Sequence, residues 1–187
     1  MTGADVPQRL ALPAALVGQG LVLRAETEAD VPFLFQLFAS TRWDEMASLT
    51  EWSEAQKIAF LEQQFTAQRQ HYLVHYANSA FDVLEERGTP VGRLYVDRQQ
   101  RTLLIVDIAL LPAWRGRGIG TALIEALFAE ARQVGKEVSI SVEKYNPAQR
   151  LYRRLGFREY AEDDVYWFMY WSPQPTDAAA APQLNSD

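Results

Sequence analysis

Apolar and polar positions along the first half of the chain follow two periods, which divide it into strands and helices. Alternation at every second residue in LVLRAET (21–27) predicts a strand, and a helix follows from Thr27 or Glu28 through ADVPFLFQLFAS. Ser53 and Gln56 form a capping box that predicts a second helix, EAQKIAFLEQQFTAQRQHYLVHY. The segment FDVLEERGTPVGRLYVDRQQRTLLIVDIALL predicts three antiparallel strands with turns near its RGTP and RQQ stretches.

Helical and strand periods alternate in the second half. Apolar residues spaced three and four apart predict a helix from Gly118 to Val134, which Gly135 ends. A strand EVSISVE, a short helix PAQRLYRRL and a strand pair around FREYAEDDVYWFMYW follow. These elements predict one α/β domain over 21–172. Residues 1–20 show no clear period and predict a flexible arm, and the Pro-, Ala- and Asp-rich 173–187 predicts a disordered tail.

Composition narrows the class of protein. The chain has 187 residues, of which 48% are hydrophobic, so it is long enough to bury a single core. It contains no cysteine, which excludes disulfides, cysteine zinc sites and a thiol nucleophile, and suits a reducing cytoplasm. No apolar run approaches the roughly 18 residues of a membrane span, and no signal peptide is recognised. His71 and His75 lack an acidic third ligand, so we predict no metal site.

Charge is distributed unevenly along the chain. The net charge of −6 argues against a general nucleic-acid-binding protein. Residues 111–158 nevertheless carry nine Lys and Arg against four Asp and Glu. A basic zone on an acidic protein predicts a local anionic ligand rather than a polyanion spread over the surface.

The most informative stretch is LPAWRGRGIGTALIEAL (111–127), which joins the apolar strand LLIVDIALL to a helix. The apolar run predicts a central strand covered on both faces. A glycine loop between a strand and a helix aims free N–H groups at an anion, because glycines remove Cβ atoms and allow positive φ. No lysine precedes Thr121, as a Walker loop requires, and the G-x-G-x-G spacing differs from the Rossmann pattern. The pattern present is Arg115-x-x-Gly118-x-Gly120.

This pattern resembles the [Arg/Gln]-x-x-Gly-x-[Gly/Ala] motif with which the Gcn5-related N-acetyltransferase (GNAT) family binds the acetyl-CoA pyrophosphate. The resemblance continues in SISVEKYNPAQRLYRRLGF, with Asn146, Tyr152, Gly156 and Phe157, and covers about 21–171. It implies a mixed, mostly antiparallel central sheet flanked by helices, with splayed central strands that hold acetyl-CoA. It also implies transfer of an acetyl group to an amine directly in a ternary complex.

The resemblance implies a binding site for acetyl-CoA as the acyl donor, with no metal. Backbone amides of 117–121 would take the pyrophosphate, and backbone groups of 108–110 would pair with the pantetheine arm. Asn146 either bonds that arm, caps the helix that Pro147 starts, or does both. The arginines, with Lys144, either meet further phosphates or form a solvated face. The predicted cofactor-binding residues are Ile108, Ala109, Leu110, Arg115, Arg117, Gly118, Ile119, Gly120, Thr121, Asn146 and Arg153.

Three residues are candidates for catalysis. Tyr152 stands where the family has its tyrosine proton donor, and a phenol of pKa about 10 can protonate a thiolate whose acid has a pKa of about 8.5. The alternative for Tyr152 is aromatic packing. Asp107, which interrupts the apolar strand, and Glu143, which ends the next strand, are candidate general bases. Each is alternatively a structural ion-pair partner, and water is a further route for the amine proton.

The identity of the acceptor stays open at the level of the sequence. A small-molecule or peptide amine is expected, without nucleic-acid or membrane partners, and a homodimer is a possible assembly. Acidic residues at Asp44, Glu45, Glu51 and 162–164 either attract a cationic amine or are ordinary exposed charges. Two other classes compete with the enzyme: a non-catalytic acyl-CoA-binding module of the same fold, and a nucleotide-binding protein that uses the glycine loop for phosphate.

Overall fold

The computed structural model describes residues 7–174 as a seven-stranded sheet with helices on both faces. The strands are β1 (Leu21–Ala25), β2 (Ala80–Glu86), β3 (Thr89–Arg98), β4 (Thr102–Leu110), β5 (Glu137–Glu143), β6 (Arg158–Glu162) and β7 (Tyr166–Trp171). The α-helices are α1 (Ala14–Gly18), α2 (Val31–Ala47), α3 (Glu54–His75), α4 (Ile119–Val134) and α5 (Gln149–Arg154). The predicted disordered tail lies, from residue 175 onward, outside the described residues.

The sheet is mixed and mostly antiparallel, as the family resemblance implied. Its strand order is β1-β2-β3-β4-β5-β7-β6, and it is open. Within residues 7–174, β4 and β5 are the one parallel pair of neighbours, and the other neighbours are antiparallel. Parallel neighbours need a long crossover, which α4 supplies.

The parallel pair comes apart half-way along its length. Pairing between β4 and β5 runs from Thr102 opposite Glu137 to Ile105 opposite Ile140, although both strands continue. On the other side of β4 a β-bulge leaves Val106 without a partner on β3. Because a bulge bends its strand, β4 turns away from β5 at this residue. The splayed central strands implied by the family resemblance are therefore present.

Burial along β4 follows the splay. Leu103 and Ile105 are 1% exposed, whereas the residues from Val106 to Leu110 are only half-buried. The prediction of a strand covered on both faces is therefore wrong for its second half. The apolar side chains there border an opening in the sheet rather than a closed core.

Two apolar cores cover the two faces of the sheet. On one face α4 buries Leu123 and Leu127 against β4 and β5, with α1 and α5 packed nearby. On the other face α2 and α3 bury Phe38 and Leu61 against β2. Within residues 7–174 no helix is long and apolar enough to cross a membrane.

Helix ends follow local sequence signals in α3 and α4, but α2 is longer than predicted. The amide of Ser53 donates to Gln56 Oε1 at 2.9 Å, which completes the predicted capping box. Gly135 ends α4 in the left-handed conformation, with φ of 66°. Helix α2 continues past the predicted stretch to Ala47, so the polar segment TRWDEMA lies on a helix rather than in a loop.

The segment before β1 packs on the domain instead of forming a free arm. Leu10 and Leu16 are 6% and 2% exposed and belong to the α4-side core. Arg9 Nε donates to Asp82 Oδ1 on β2 at 2.7 Å. The prediction of a flexible arm over 1–20 is therefore wrong for residues 9–18. Isolated contacts from an extended segment and a single helical turn leave no period in the sequence.

The Arg9–Asp82 pair makes the anchoring of this segment dependent on pH. Burial raises the pKa of Asp82 to about 6, against the opposing charge of Arg9. Since this pKa exceeds that of the unfolded chain, the ionised carboxylate is costly above pH 6, and the cost decreases as the pH falls from about 6 toward the ordinary Asp value of about 4. We expect Arg9→Ala to lower Tm by about 2–4 °C at pH 7.5, where an ionised Asp82 loses its partner, and by less at pH 5.

Thermal unfolding at the two pH values measures this effect. Arg150→Ala is the matched control, because Arg150 is exposed and makes no side-chain hydrogen bond or ion pair within the described chain. Equal losses of Tm at pH 7.5 and pH 5 in Arg9→Ala would contradict the assignment.

Candidate active site

The opening between β4 and β5 leads into a cavity of about 720 Å³. This volume lies within the range of small-molecule sites in proteins. Its walls come from α2 on one face of the sheet and from α4 and α5 on the other, so the cavity passes through the sheet at the splay. The predicted site residues that line it are Ile108, Ala109, Leu110, Arg115, Gly118, Ile119, Gly120, Thr121, Glu143, Asn146 and Tyr152.

The glycine loop presents a row of free backbone donors to this cavity. Gly116 and Gly118 have φ of 72° and 78°, a left-handed conformation that glycine adopts without strain. Within the described chain, no protein acceptor takes the backbone N–H groups from Gly116 to Thr121. These donors stand at the N-terminus of α4, where the helix dipole favours an anion. The loop therefore fits a diphosphate group.

The two loop arginines hold the loop in place. Arg115 Nε donates to the carbonyl oxygen of Leu110 at 2.8 Å, and its Nη2 donates to Ser40 Oγ at 3.2 Å. The guanidinium of Arg117 lies over the Trp114 ring, 4.5 Å from its centroid, and Arg117 is not a lining residue. In this structure both side chains brace the loop against its neighbours, and their contact with phosphate remains a prediction.

The arginine of helix α5 that lines the cavity is Arg154, whereas Arg153 was predicted as a site residue. Ala148, Leu151 and Arg154 line the cavity at a spacing of three residues, which places them on one face of the helix. Arg153 lies off this face and its Nη2 pairs with Glu159 Oε1 at 2.6 Å. Arg154 rather than Arg153 therefore lines the cavity, and a contact of Arg153 with the cofactor stays a prediction.

Asn146 combines the two predicted roles in one position. Its Oδ1 accepts the backbone N–H of Ala148 at 2.9 Å, so the side chain caps the turn that leads into α5. The residue also lines the cavity, which leaves its amide group beside the space for a ligand. Lys144, by contrast, is engaged elsewhere, because its Nζ pairs with Glu162 Oε2 at 2.6 Å.

Tyr152 is buried in the cavity wall. It is 5% exposed and packs edge-to-face on Phe157, with the ring centroids 5.7 Å apart. Within the described chain its hydroxyl makes no hydrogen bond to a protein group. Burial, and secondly the charge of Asp107, raises the pKa of Tyr152 well above its usual value. The hydroxyl therefore remains protonated throughout the physiological range.

Asp107 is the partner in a buried ion pair and does not line the cavity. Its Oδ2 accepts a hydrogen bond from Arg93 Nη2 at 2.6 Å and one from the Tyr72 hydroxyl at 3.1 Å. Arg93 itself is 5% exposed. Of the two alternatives that the sequence left open for Asp107, the structure shows the ion pair. A role of Asp107 as a general base stays a prediction.

Glu143 stays within reach of a ligand. It ends β5 at the cavity, and its Oε1 lies 3.4 Å from Arg42 Nη2 on α2. Glu45 on α2 also lines the cavity. Glu45 lies on α2 and Glu143 contacts α2 through Arg42, so both acidic groups are on the α2 side of the cavity. The rings of His71 and His75 on α3 are in tilted contact, with centroids 4.3 Å apart. Among residues 7–174 no group of three or more side chains that could bind a metal is present.

Residues 42–157 match the sequence model of the family described as the acetyltransferase (GNAT) family. The chain belongs to the GNAT family. The match includes the glycine loop, the splayed strands and α5, which together build the cavity.

Curated relatives carry N-acetyltransferase names. An uncharacterized N-acetyltransferase of Methanocaldococcus jannaschii is 35% identical over 98 residues, which are 47% of this chain and 43% of that protein. An N-alpha-acetyltransferase of Sulfurisphaera tokodaii is 43% identical over 96 residues, which are 43% of this chain and 58% of that protein. The chain thus covers less than two thirds of the length of either GNAT relative.

Solved structures share the fold at low sequence identity. The PaiA N-acetyltransferase from Thermoplasma acidophilum, in complex with coenzyme A, superimposes with a TM-score of 0.62 at 16% identity. The match covers 81% of this chain and 98% of that one. The ribosomal-protein-S18-alanine N-acetyltransferase from Escherichia coli gives a TM-score of 0.55 at 17% identity, covering 86% and 99%. These likenesses establish the GNAT fold of the chain.

Several cavity residues were not predicted as site residues. Thr41 and Glu45 on α2 are four positions apart and share one helix face, but their segment reads as polar without an apolar period. Tyr145, which is 97% exposed at the rim, carries no sequence signal of its own. Arg154 could have been predicted from the sequence, because its spacing from Leu151 follows the helical period.

The buried Arg93–Asp107 pair should contribute mainly to stability. Removing one partner of a buried ion pair leaves the other charge uncompensated, at a cost of about 3 kcal/mol. We expect Asp107→Asn to lower Tm by roughly 6–12 °C. The exposed carboxylate of Asp44 on α2 provides the matched control, Asp44→Asn.

A double-mutant cycle identifies the coupling between the two groups. Arg93→Gln combined with Asp107→Asn should cost less stability than the sum of the two single changes, as measured by denaturant unfolding. Strict additivity of the two losses would show that the groups do not act as a pair.

Proposed function

We propose that the chain is an acetyl-CoA-dependent N-acetyltransferase that transfers the acetyl group to an amine directly in a ternary complex. The observation that carries the proposal is the row of unpaired amides from Gly116 to Thr121, which opens on the same cavity as Tyr152. A diphosphate-binding loop and a protonated phenol in one cavity are what a thioester donor requires. The N-acetyltransferase names of the relatives support the same reaction.

Donor binding is assigned to the glycine loop and to β4. The free amides of the loop bind the diphosphate of acetyl-CoA, and the α4 dipole adds to their attraction. Beyond Ile105 the edge of β4 that faces β5 has no strand partner, so its backbone groups at Ile108 to Leu110 are available to the amides of the pantetheine arm. A backbone N–H of this stretch stabilises the oxyanion that forms on the thioester carbonyl.

The acceptor amine approaches from the α2 side of the cavity. In the transfer its nitrogen forms a bond to the acetyl carbon, and the carbon–sulfur bond of the thioester breaks. Glu143, the acidic group at the end of β5, takes the amine proton directly or through water. The chain contains no cysteine, and the cavity offers no activated nucleophile for a covalent acyl-enzyme.

Tyr152 completes the reaction by protonating the departing thiolate. Burial raises the pKa of Tyr152, so its hydroxyl still carries a proton when the thiolate forms beside it, and the tyrosinate that remains recovers a proton from solvent. This unpartnered hydroxyl also favours the enzyme over an acyl-CoA-binding module without turnover. A cytoplasmic location, and the absence of nucleic-acid and membrane partners, remain predictions from the composition.

Gly120 offers the sharpest test of donor binding. An added Cβ at Gly120 would meet nothing closer than Leu151 Cδ2 at 3.9 Å, so the protein itself has room for a side chain. That room lies in the cavity, because both residues line it. We expect wild-type protein to bind acetyl-CoA in calorimetry and Gly120→Val to bind at least tenfold more weakly, with an unchanged fold by circular dichroism.

Gln133→Val is the control for placing a β-branched residue in α4, because Gln133 is exposed on the same helix and does not line the cavity. It should bind acetyl-CoA as wild type does. Binding of ATP or NAD in place of CoA by wild type, or full acetyl-CoA affinity in folded Gly120→Val, would reject the assignment.

Tyr152→Phe separates proton donation from packing, because it keeps the ring on Phe157 and deletes only the hydroxyl. Loss of a positioned acid typically costs 10²–10⁴ in rate, so we expect kcat to fall at least thirtyfold with little change in Tm or acetyl-CoA affinity. The loss should shrink with a thioester whose leaving group is more acidic. Tyr160→Phe, on β6 and outside the cavity lining, is the control and should retain its rate. Normal turnover by Tyr152→Phe would leave the ring as a packing residue only.

A further inference from the structure

An ion pair joins two different elements across the α2 side of the cavity. Arg42 Nη2 on α2 lies 3.4 Å from Glu143 Oε1 at the end of β5, which is a single long contact between half-buried side chains. Glu143 is also the register partner of Tyr166 on β7. Glu143 lines the cavity and Arg42 does not, so the pair lies at the cavity wall on the side from which the acceptor amine is proposed to approach. Its long contact can open to admit a ligand.

Arg42 is held where it is by contacts other than Glu143. Its guanidinium lies over the Phe38 ring, 4.2 Å from the centroid, and Phe38 is fixed in the α2–α3 core with 2% exposure. Its Nη1 is 3.0 Å from the hydroxyl of Thr41, which lines the cavity. When an acceptor binds Glu143 in place of Arg42, the Arg42 guanidinium therefore remains next to the acceptor.

This arrangement discriminates between classes of amine. A ligand whose only charge is its ammonium group would displace Arg42 from Glu143 and then face a like charge that keeps its position. A ligand with a carboxylate next to its amine would leave no charge unpaired, because Arg42 takes the carboxylate and Glu143 takes the ammonium. Guanidinium is also the side-chain group best shaped to bind a carboxylate through two hydrogen bonds.

The other basic groups near the cavity are not placed to bind an anion beside Glu143. Arg115 is bound to Leu110 and Ser40, and Lys144 is paired with Glu162. Arg154 lies on α5 with the donor-binding residues, on the opposite face of the sheet from α2. Arg42 is therefore the group placed to bind an anion next to Glu143.

We propose that the Arg42–Glu143 pair recognises a zwitterionic acceptor, an amino acid whose carboxylate binds Arg42 while its amine binds Glu143. The inference rests on the proposed acetyltransferase function and names its substrate class. Arg42 acts as a specificity-determining residue. The bound ammonium first gives one proton to solvent to become the neutral amine; the second proton passes to Glu143 as the bond to the acetyl carbon forms, and the thiolate leaves with the proton of Tyr152. Free amino acids are acceptors, and amines that lack a neighbouring carboxylate are poor ones.

Matched pairs of acceptors test the proposal with the full chain. Each proteinogenic amino acid is compared with its primary amide, which keeps the amine and the side chain but removes the carboxylate. Release of CoA from acetyl-CoA and the mass of the acetylated product are measured. For the best acceptor we expect kcat/KM of the free acid to exceed that of the amide at least tenfold.

Variants of Arg42 assign this preference to the guanidinium. Arg42→Gln should raise KM for the amino acid at least tenfold, leave kcat/KM for the amide within about threefold of wild type, and leave acetyl-CoA affinity unchanged. Arg42→Lys, which keeps the charge but loses the fork, should give a smaller rise in KM. Arg101→Gln is the control, since Arg101 is exposed in the turn between β3 and β4.

The outcomes separate the two proposals. Failure to bind acetyl-CoA would reject the proposed function itself. Binding of acetyl-CoA with equal use of acids and amides, with acetylation of none of the amino acids, or with the acid preference retained in Arg42→Gln would overturn the zwitterion assignment and leave the donor site standing. If Arg42→Gln does not fold, Arg42→Lys and the acid–amide comparison in wild type decide the question.

Discussion

The separation of β4 from β5 after Ile105 is the constraint on which the rest of the site depends. Strands in a sheet normally satisfy their backbone groups on each other, so an opening in the middle of a sheet leaves polar groups in need of a partner. The bulge at Val106 bends β4 away, and pairing ends at Ile140 on β5. The cavity, the unpaired edge of β4 and the passage between the two faces of the sheet all follow from that bend.

A sheet that opens in its middle must be held on either side of the gap. The Arg93–Asp107 pair, with the Tyr72 hydroxyl, ties the bent part of β4 to β3 and to α3. Arg115 fastens the end of β4 to α2 through Leu110 and Ser40. Both contacts are hydrogen bonds of charged side chains, which are more directional than apolar contacts. Asp107 and Arg115, which the sequence offered as chemical groups, thus make structural contacts on either side of the gap.

The two ends of the cavity have opposite chemistry because they are built by different elements. The glycine loop and α4 present N–H donors and the positive end of a helix dipole, which suit an anion. The α2 side presents Glu45 and Glu143, with Arg42 as their neighbour. Tyr152 lies in the wall of the same cavity with its proton retained by burial. In the proposed reaction the donor binds at the glycine loop and the acceptor on the α2 side.

Local features of the protein were determined by the sequence itself. The strands, the Ser53 capping box, the end of α4 at Gly135 and the glycine loop each depend on residues within a few positions, so their patterns can be read along the chain. The tertiary structure alone decided which charges meet. Asp107 was free to be a base or an ion-pair partner until folding brought Arg93 to it, and Arg42 meets Glu143 across 101 positions of sequence. Such partners are selected by the packing of helices on a sheet, which no short segment encodes.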